Sequence, residues 1–196
     1  MQVIQIKCPK CGNPIMSKQK DTVFYCTTCN TMHIRNGEVQ ILDVEIGDFN
    51  KTATQDRVYV PFWRMYSTVV INNIRSEGGG FHKLASWLRG EGGNSGNLFI
   101  WVPASEMEID RFKSMAVNFT VDPPPYHTRM DFGTVPRLSV VMKQAEALEM
   151  ADFVVVTIEA EKPGVLQSLD YTLTVHDAKL IYLPFVSTQA GLVPAF

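Results

Sequence analysis

A chain of 196 residues with 45% hydrophobic and 19% charged side chains is long enough for one domain, or for a small module and a medium one. Eighteen Lys and Arg against twenty Asp and Glu leave a formal charge of −2, which removes the global electrostatic drive toward nucleic acid or anionic lipid that a strongly basic chain carries. The longest apolar runs, such as 98–104 and 190–196, reach about seven residues, short of a membrane span. The start MQVIQIKCPK lacks the pattern of a secretory signal, so the expected compartment is the cytoplasm.

In chain order, strands are predicted at 3–7, 22–25, 31–35 and 38–44, the last two joined by Asn36-Gly37, a strong hairpin signal. All the cysteines fall among them, in CPKCG and CTTCN, and Cys8, Cys11, Cys26 and Cys29 spell Cys-x2-Cys-x14-Cys-x2-Cys. Zinc takes four thiolates at tetrahedral angles. Each Cys-x2-Cys turn folds two sulfurs to one side while backbone amides point at them. Gly12 and Asn30 follow the second cysteine of each turn, and both residue types tolerate the left-handed conformation such turns need. A module of about 45 residues cannot hold itself together by core burial alone, whereas structural zinc contributes an apparent ~10–16 kcal/mol in small peptides. The module is therefore expected to unfold without metal.

These features resemble the zinc-ribbon family of transcription factors, polymerase subunits and adaptor proteins, over residues 1–46 only. The resemblance implies a small antiparallel β fold with Cys8, Cys11, Cys26 and Cys29 as ligands of one zinc ion, but it does not imply an activity. Rubredoxin, an iron electron carrier, is similar in its paired knuckles but repeats CPxCG in both. The second knuckle here is CTTCN, which favours zinc. Four thiolates leave no open position, so the zinc is read as structural, and His33 as an ordinary strand histidine. The basic residues Lys7, Lys10, Lys18, Lys20 and Arg35 are read as a solvated face, with local nucleic-acid contact the weaker alternative.

Residues 47–56 are polar and aperiodic and form the expected linker to a second domain at 57–196. That domain is expected to be mixed α+β. A long strand is predicted at 58–71, a strand buried on both faces at 153–158, and a hairpin of 171–175 with 180–185. The capping box Ser105-x-x-Glu108 predicts a helix with Ile109, Phe112, Ala116 and Phe119 on one face, and Ser139 a second with Val141, Ala145 and Leu148 inward. VYVPF at 58–62, IWVPA at 100–104 and IYLPF at 181–185 repeat one pattern, read as strand ends lying side by side in one sheet. FHKLASWLR at 81–89, between glycine-rich stretches, is predicted as a short helix. It packs on its own sheet or, alternatively, docks in a partner groove or a membrane interface.

No cysteine remains outside the knuckles, and GxSxG, Walker, HExxH and GxGxxG motifs are missing. The loop 122–131 gathers Asp122, His127, Arg129 and Asp131, a set from which an acid/base site can be built, although proline-rich loops are more often rigid connectors. The reading is a zinc-binding, non-enzymatic adaptor with a protein partner, its contact surfaces sought at the repeated strand ends and at 81–89. An enzyme using loop 122–131 and a rubredoxin-like iron carrier are the alternatives.

Overall fold

A computed structural model describes residues 6–15, 20–36, 38–77, 94–160 and 165–196. The predicted helix at 81–89 lies outside the described residues. Two short strands, β1 (Ile6–Lys7) and β2 (Pro14–Ile15), pair antiparallel, and β3 (Val23–Cys26), β4 (Thr31–Asn36) and β5 (Glu38–Leu42) follow as a three-stranded antiparallel sheet. The chain then enters a larger sheet of β6 (Val44–Gly47), β7 (Arg57–Glu77), β8 (Ser95–Pro103), β9 (Thr128–Arg129), β10 (Val165–Thr188) and β11 (Gly191–Pro194). Its order is β8-β7-β10-β6-β9, with β11 also paired to β10. Among the described strand pairs of this sheet, β6–β10 alone is parallel. Position 46 thus falls inside β6, a strand of the larger sheet. The helices α1 (Ile109–Val121) and α2 (Gln144–Ala160) complete the described residues, and neither is long and apolar enough to cross a membrane.

The expected α+β balance is wrong: among the described residues strands far outweigh the two helices, so the fold is mostly β. The excess comes from β7 and β10, which are 21 and 24 residues long and pair from Val186↔Arg57 to Val165↔Glu77. Residues 171–185, read as a hairpin, run straight through as part of β10. His176 sits where the register shifts between Val175 and Asp177, in a bulge rather than a turn. The apolar run 153–158, read as a strand, belongs to α2, with Phe153 and Val156 left exposed. A short apolar run without clear periodicity does not separate the two states, and here the sheet already filled its layer. Glu108, not Ser105, caps α1. No side-chain bond forms there, and Ser105 is buried instead.

Alternation along β7 sends successive side chains to opposite faces of the sheet. Tyr59, Trp63, Met65, Val69 and Ile71 share a core with Ala151, Val154 and Ile158 of α2 and with Val23 and Met32 of the small sheet. On the other side, Val58, Val60 and Phe62 pack with Ile181, Leu183 and Phe185, under Met115 and Phe119 of α1. The three repeated segments lie side by side, with Pro103 opposite Phe62 and Pro61 opposite Tyr182. All their residues are buried, which makes them core rather than contact surface.

Gly47 in β6 fits against the neighbouring strand so closely that an added Cβ would lie 2.7 Å from Pro184 Cδ. A proline ring on a central strand yields little. Gly47→Ala is expected to destabilise the protein by about 1–3 kcal/mol through overpacking, and an unchanged thermal midpoint would show that β6 can shift.

Candidate metal centre

The first knuckle spans the turn between β1 and β2, where the Cys8 amide donates to Asn13 O and the Gly12 amide to Cys8 O, both at 2.8 Å. Gly12 takes φ +74° and Asn30, in the second knuckle between β3 and β4, takes φ +52°, the left-handed conformations anticipated for both. The Tyr25 hydroxyl holds Asn30 by donating to its Oδ1 at 2.8 Å. These two turns bring the four cysteine sulfurs within 4.8 Å of one another. Cys8 Sγ lies 3.6 Å from Cys29 Sγ, and Cys11 Sγ 3.6 Å from Cys26 Sγ, so each close pair joins the two knuckles.

That spacing fits a metal ion. A tetrahedral centre with metal–sulfur bonds of about 2.3 Å holds its sulfurs about 3.8 Å apart, whereas a disulfide needs about 2.05 Å, and all four thiols are free. Hydrogen bonds from the Asn13 backbone and side chain bring the Cys11 thiol down to about 6. The Thr31 hydroxyl, 3.2 Å away, also favours the Cys29 thiolate, but burial and the three neighbouring sulfurs outweigh it and push that thiol up to about 11. Four thiolates this close ionise together only around a cation.

His33 lies on a strand, as expected, and it also approaches the cysteine cluster. It is fully buried in β4, the middle strand of the small sheet, with Nε2 3.3 Å from Cys8 Sγ and Nδ1 without a hydrogen-bond partner. Burial holds its imidazolium below the usual range, and the Gln40 backbone offsets this only in part.

The centre is fastened to the large sheet by the residues just before β3. The Asp21 carboxylate, wholly buried, accepts from Arg137 NH1 at 2.6 Å and from the Val140 amide at 3.0 Å. The Thr22 amide donates to Val140 O at 2.7 Å. Phe132 continues the join, with its ring edge-on to Tyr25, Tyr59 and Tyr182 at 4.9–5.3 Å.

Loop 122–131 assembles the alternative acid/base set only in part, with Arg129 NH2 3.4 Å from Asp131 Oδ1. His127 is exposed, and Asp131 accepts from the Gly133 amide at 2.9 Å beside Arg129. Two clefts among the described residues, of 330 and 260 Å³, are lined by neither His127 nor Asp131. The residue this loop does place in a polar cluster is Tyr126, whose hydroxyl donates to Glu45 Oε2 at 2.6 Å and accepts from Arg64 NH1 at 2.9 Å. Lys179 Nζ lies 3.2 Å from Glu45 Oε1, so the cluster ties β6 to β7 and β10. Burial alone would raise the Glu45 carboxyl. The Tyr126 and Lys179 bonds and the Arg64 charge more than reverse that, and hold it below the usual carboxylate range. A depressed carboxyl contributes stability that is present above its unfolded pKa, about 4.3, and is lost as pH falls through the folded value. Glu45→Gln should therefore be less stable at neutral pH, with the gap to wild type closing below about pH 4 in urea titrations. A constant gap would mean that the carboxylate charge contributes nothing.

Past Arg64 on the same face of β7, Tyr66 and Phe99 are 38% and 41% exposed with ring centres 5.3 Å apart, and the Arg64 guanidinium lies over Phe99 at 5.1 Å. His176 flanks them, 5.7 Å from Tyr66, with Nε2 2.7 Å from the Thr68 hydroxyl.

The chain matches no family model, no curated protein and no solved structure. The zinc-ribbon likeness therefore rests on the cysteine spacing and on the sulfur geometry it produces.

Proposed function

We propose that the chain is a zinc-binding, non-enzymatic protein of the cytoplasm, in which one zinc ion held by Cys8, Cys11, Cys26 and Cys29 is a structural clamp and the β body is a binding module for a protein partner. The observation that carries the metal reading is the set of four sulfurs, two from each knuckle, within 4.8 Å of one another. Four protein ligands complete a tetrahedral shell and leave no place for a reacting water. A metal bound there supplies a cross-link between the β1–β2 turn and the β3–β4 turn, and a positive charge that keeps all four sulfurs ionised.

Cobalt substitution tests the closed shell. The Co²⁺-loaded protein should show the intense visible bands of tetrahedral tetrathiolate coordination, unchanged by added azide or cyanate. A weak octahedral spectrum, or one that responds to these anions, would mean an open position and return catalysis to consideration.

The partner reading is supported by the uncovered aromatic face at Tyr66 and Phe99, since exposed aromatic side chains next to an arginine are enriched at protein interfaces. A chain carrying Tyr66→Ser and Phe99→Ser should keep its metal content and thermal midpoint but lose proteins that co-purify with the wild type. If the variant retains them, this face is not the contact surface.

A further inference from the structure

We propose that His33 is a positioning residue of the metal centre, whose Nε2–H donates to the Cys8 thiolate and holds the first knuckle against the small sheet. This rests on the zinc reading above. A metal-bound thiolate carries no proton, so at 3.3 Å the hydrogen between Cys8 Sγ and His33 Nε2 belongs to the nitrogen. The other ring nitrogen is buried and makes no well-formed hydrogen bond, the Gln40 backbone interacting with the ring only weakly. Such a group is costly to bury, and an apolar side chain of similar size would avoid that cost. A histidine in this position makes physical sense through what its other nitrogen does.

The rest of the centre follows the same pattern. The Asn13 amide group donates to Cys11 Sγ at 3.4 Å, the Thr31 hydroxyl lies 3.2 Å from Cys29 Sγ, and the backbone of Thr28 and Cys29 bonds to Cys26. Those donors lie close in sequence to the sulfurs they serve. His33 is 25 residues from Cys8 and reaches it from the other knuckle's sheet, opposite Phe24 and Ile41 in register. Its bond joins the two halves of the centre through protein atoms alone. Donors of this kind orient ligands and withdraw charge from sulfur, and their loss typically weakens metal binding 10–100-fold.

The experiment uses the full-length chain as wild type, as His33→Phe, which keeps ring volume without a donor, and as His33→Gln, which restores an N–H donor. Zinc affinity is measured by competition with a chromophoric chelator. The sulfur-to-cobalt charge-transfer band and the order of cysteine alkylation in the zinc-loaded protein are recorded alongside. Wild type is expected to bind one zinc. His33→Phe should bind about 10–100-fold more weakly, shift the charge-transfer band and expose Cys8 to earlier alkylation, and His33→Gln should recover most of the affinity and the band. If His33→Phe matches wild type in affinity and spectrum, the role is overturned while the zinc reading stands. If wild type itself binds no zinc, both fall. Should His33→Phe not fold, His33→Gln decides: affinity within a few-fold of wild type supports the role, and affinity as low as that of a Cys8→Ser chain overturns it.

Discussion

Stripping the metal with a strong chelator, or replacing Cys26 with Ser, is expected to melt the knuckles and loosen the small sheet while β7, β8 and β10 remain paired. β1 and β2 are two residues each, and among the described residues the buried apolar cluster around them is Ile15 and Phe24 with Cys8 and Cys26, flanked by Ile6 and Cys29. Without a metal, little there opposes the chain entropy of the knuckles, about 1–2 kcal/mol per residue. The loss should then spread, because Val23 and Met32 belong to the same core as Tyr59 and Trp63. Hydrogen exchange should rise by orders of magnitude over residues 6–15 and 23–36, and the global thermal midpoint should fall by roughly 10 °C or more, given about 2–4 °C per kcal/mol at this size. If protection in β3 and β4 survives chelation, packing rather than metal holds this region.

Asp21→Ala is expected to cost about 3–5 kcal/mol, the usual penalty for breaking a buried ion pair by removing one partner. The carboxylate has no exposed surface and Arg137 is 12% exposed, so neither bulk water nor salt replaces what the pair provides. Asp21 also accepts from the Val140 amide, and Arg137 lies within 3.5 Å of the Tyr182 hydroxyl and over its ring, so the substitution removes a junction between the small sheet and the body. Replacing both partners with apolar residues, Asp21→Leu with Arg137→Met, should recover a substantial part of the loss, because it removes the uncompensated charge along with the bond. Urea unfolding of the three chains, wild type, Asp21→Ala and the double replacement, in low and high salt is the check. A loss below about 1 kcal/mol, or one abolished by salt, would indicate a solvent-exposed pair instead.

The four-cysteine cluster was legible in the sequence because its geometry is local: a Cys-x2-Cys turn folds the same way wherever it occurs, and Gly12 and Asn30 carried the signature of its backbone. The contact of His33 with Cys8 was not, since it depends on how two knuckles meet across 25 residues. The same division holds in the larger sheet. The strand at β7 was plain from its β-branched and aromatic content. Residues 176–179 looked like a turn in isolation, and only the length of β7 opposite them makes β10 continuous. In loop 122–131, His127 and Asp131 were the chemically conspicuous residues. Tyr126 is the one that meets Glu45 and Arg64, because those come from β6 and β7. Asp21 carried no sequence signal at all, its partner lying 116 residues away.

The central claim is that Cys8, Cys11, Cys26 and Cys29 hold one zinc ion that clamps the start of this chain. Elemental analysis of the purified protein, with its visible spectrum, tests it most directly. One zinc per chain in a colourless protein, lost when the four cysteines are replaced by serine, is the predicted result. A red protein with one iron per chain, or a chain with no stoichiometric metal and four thiols that titrate freely, would contradict it.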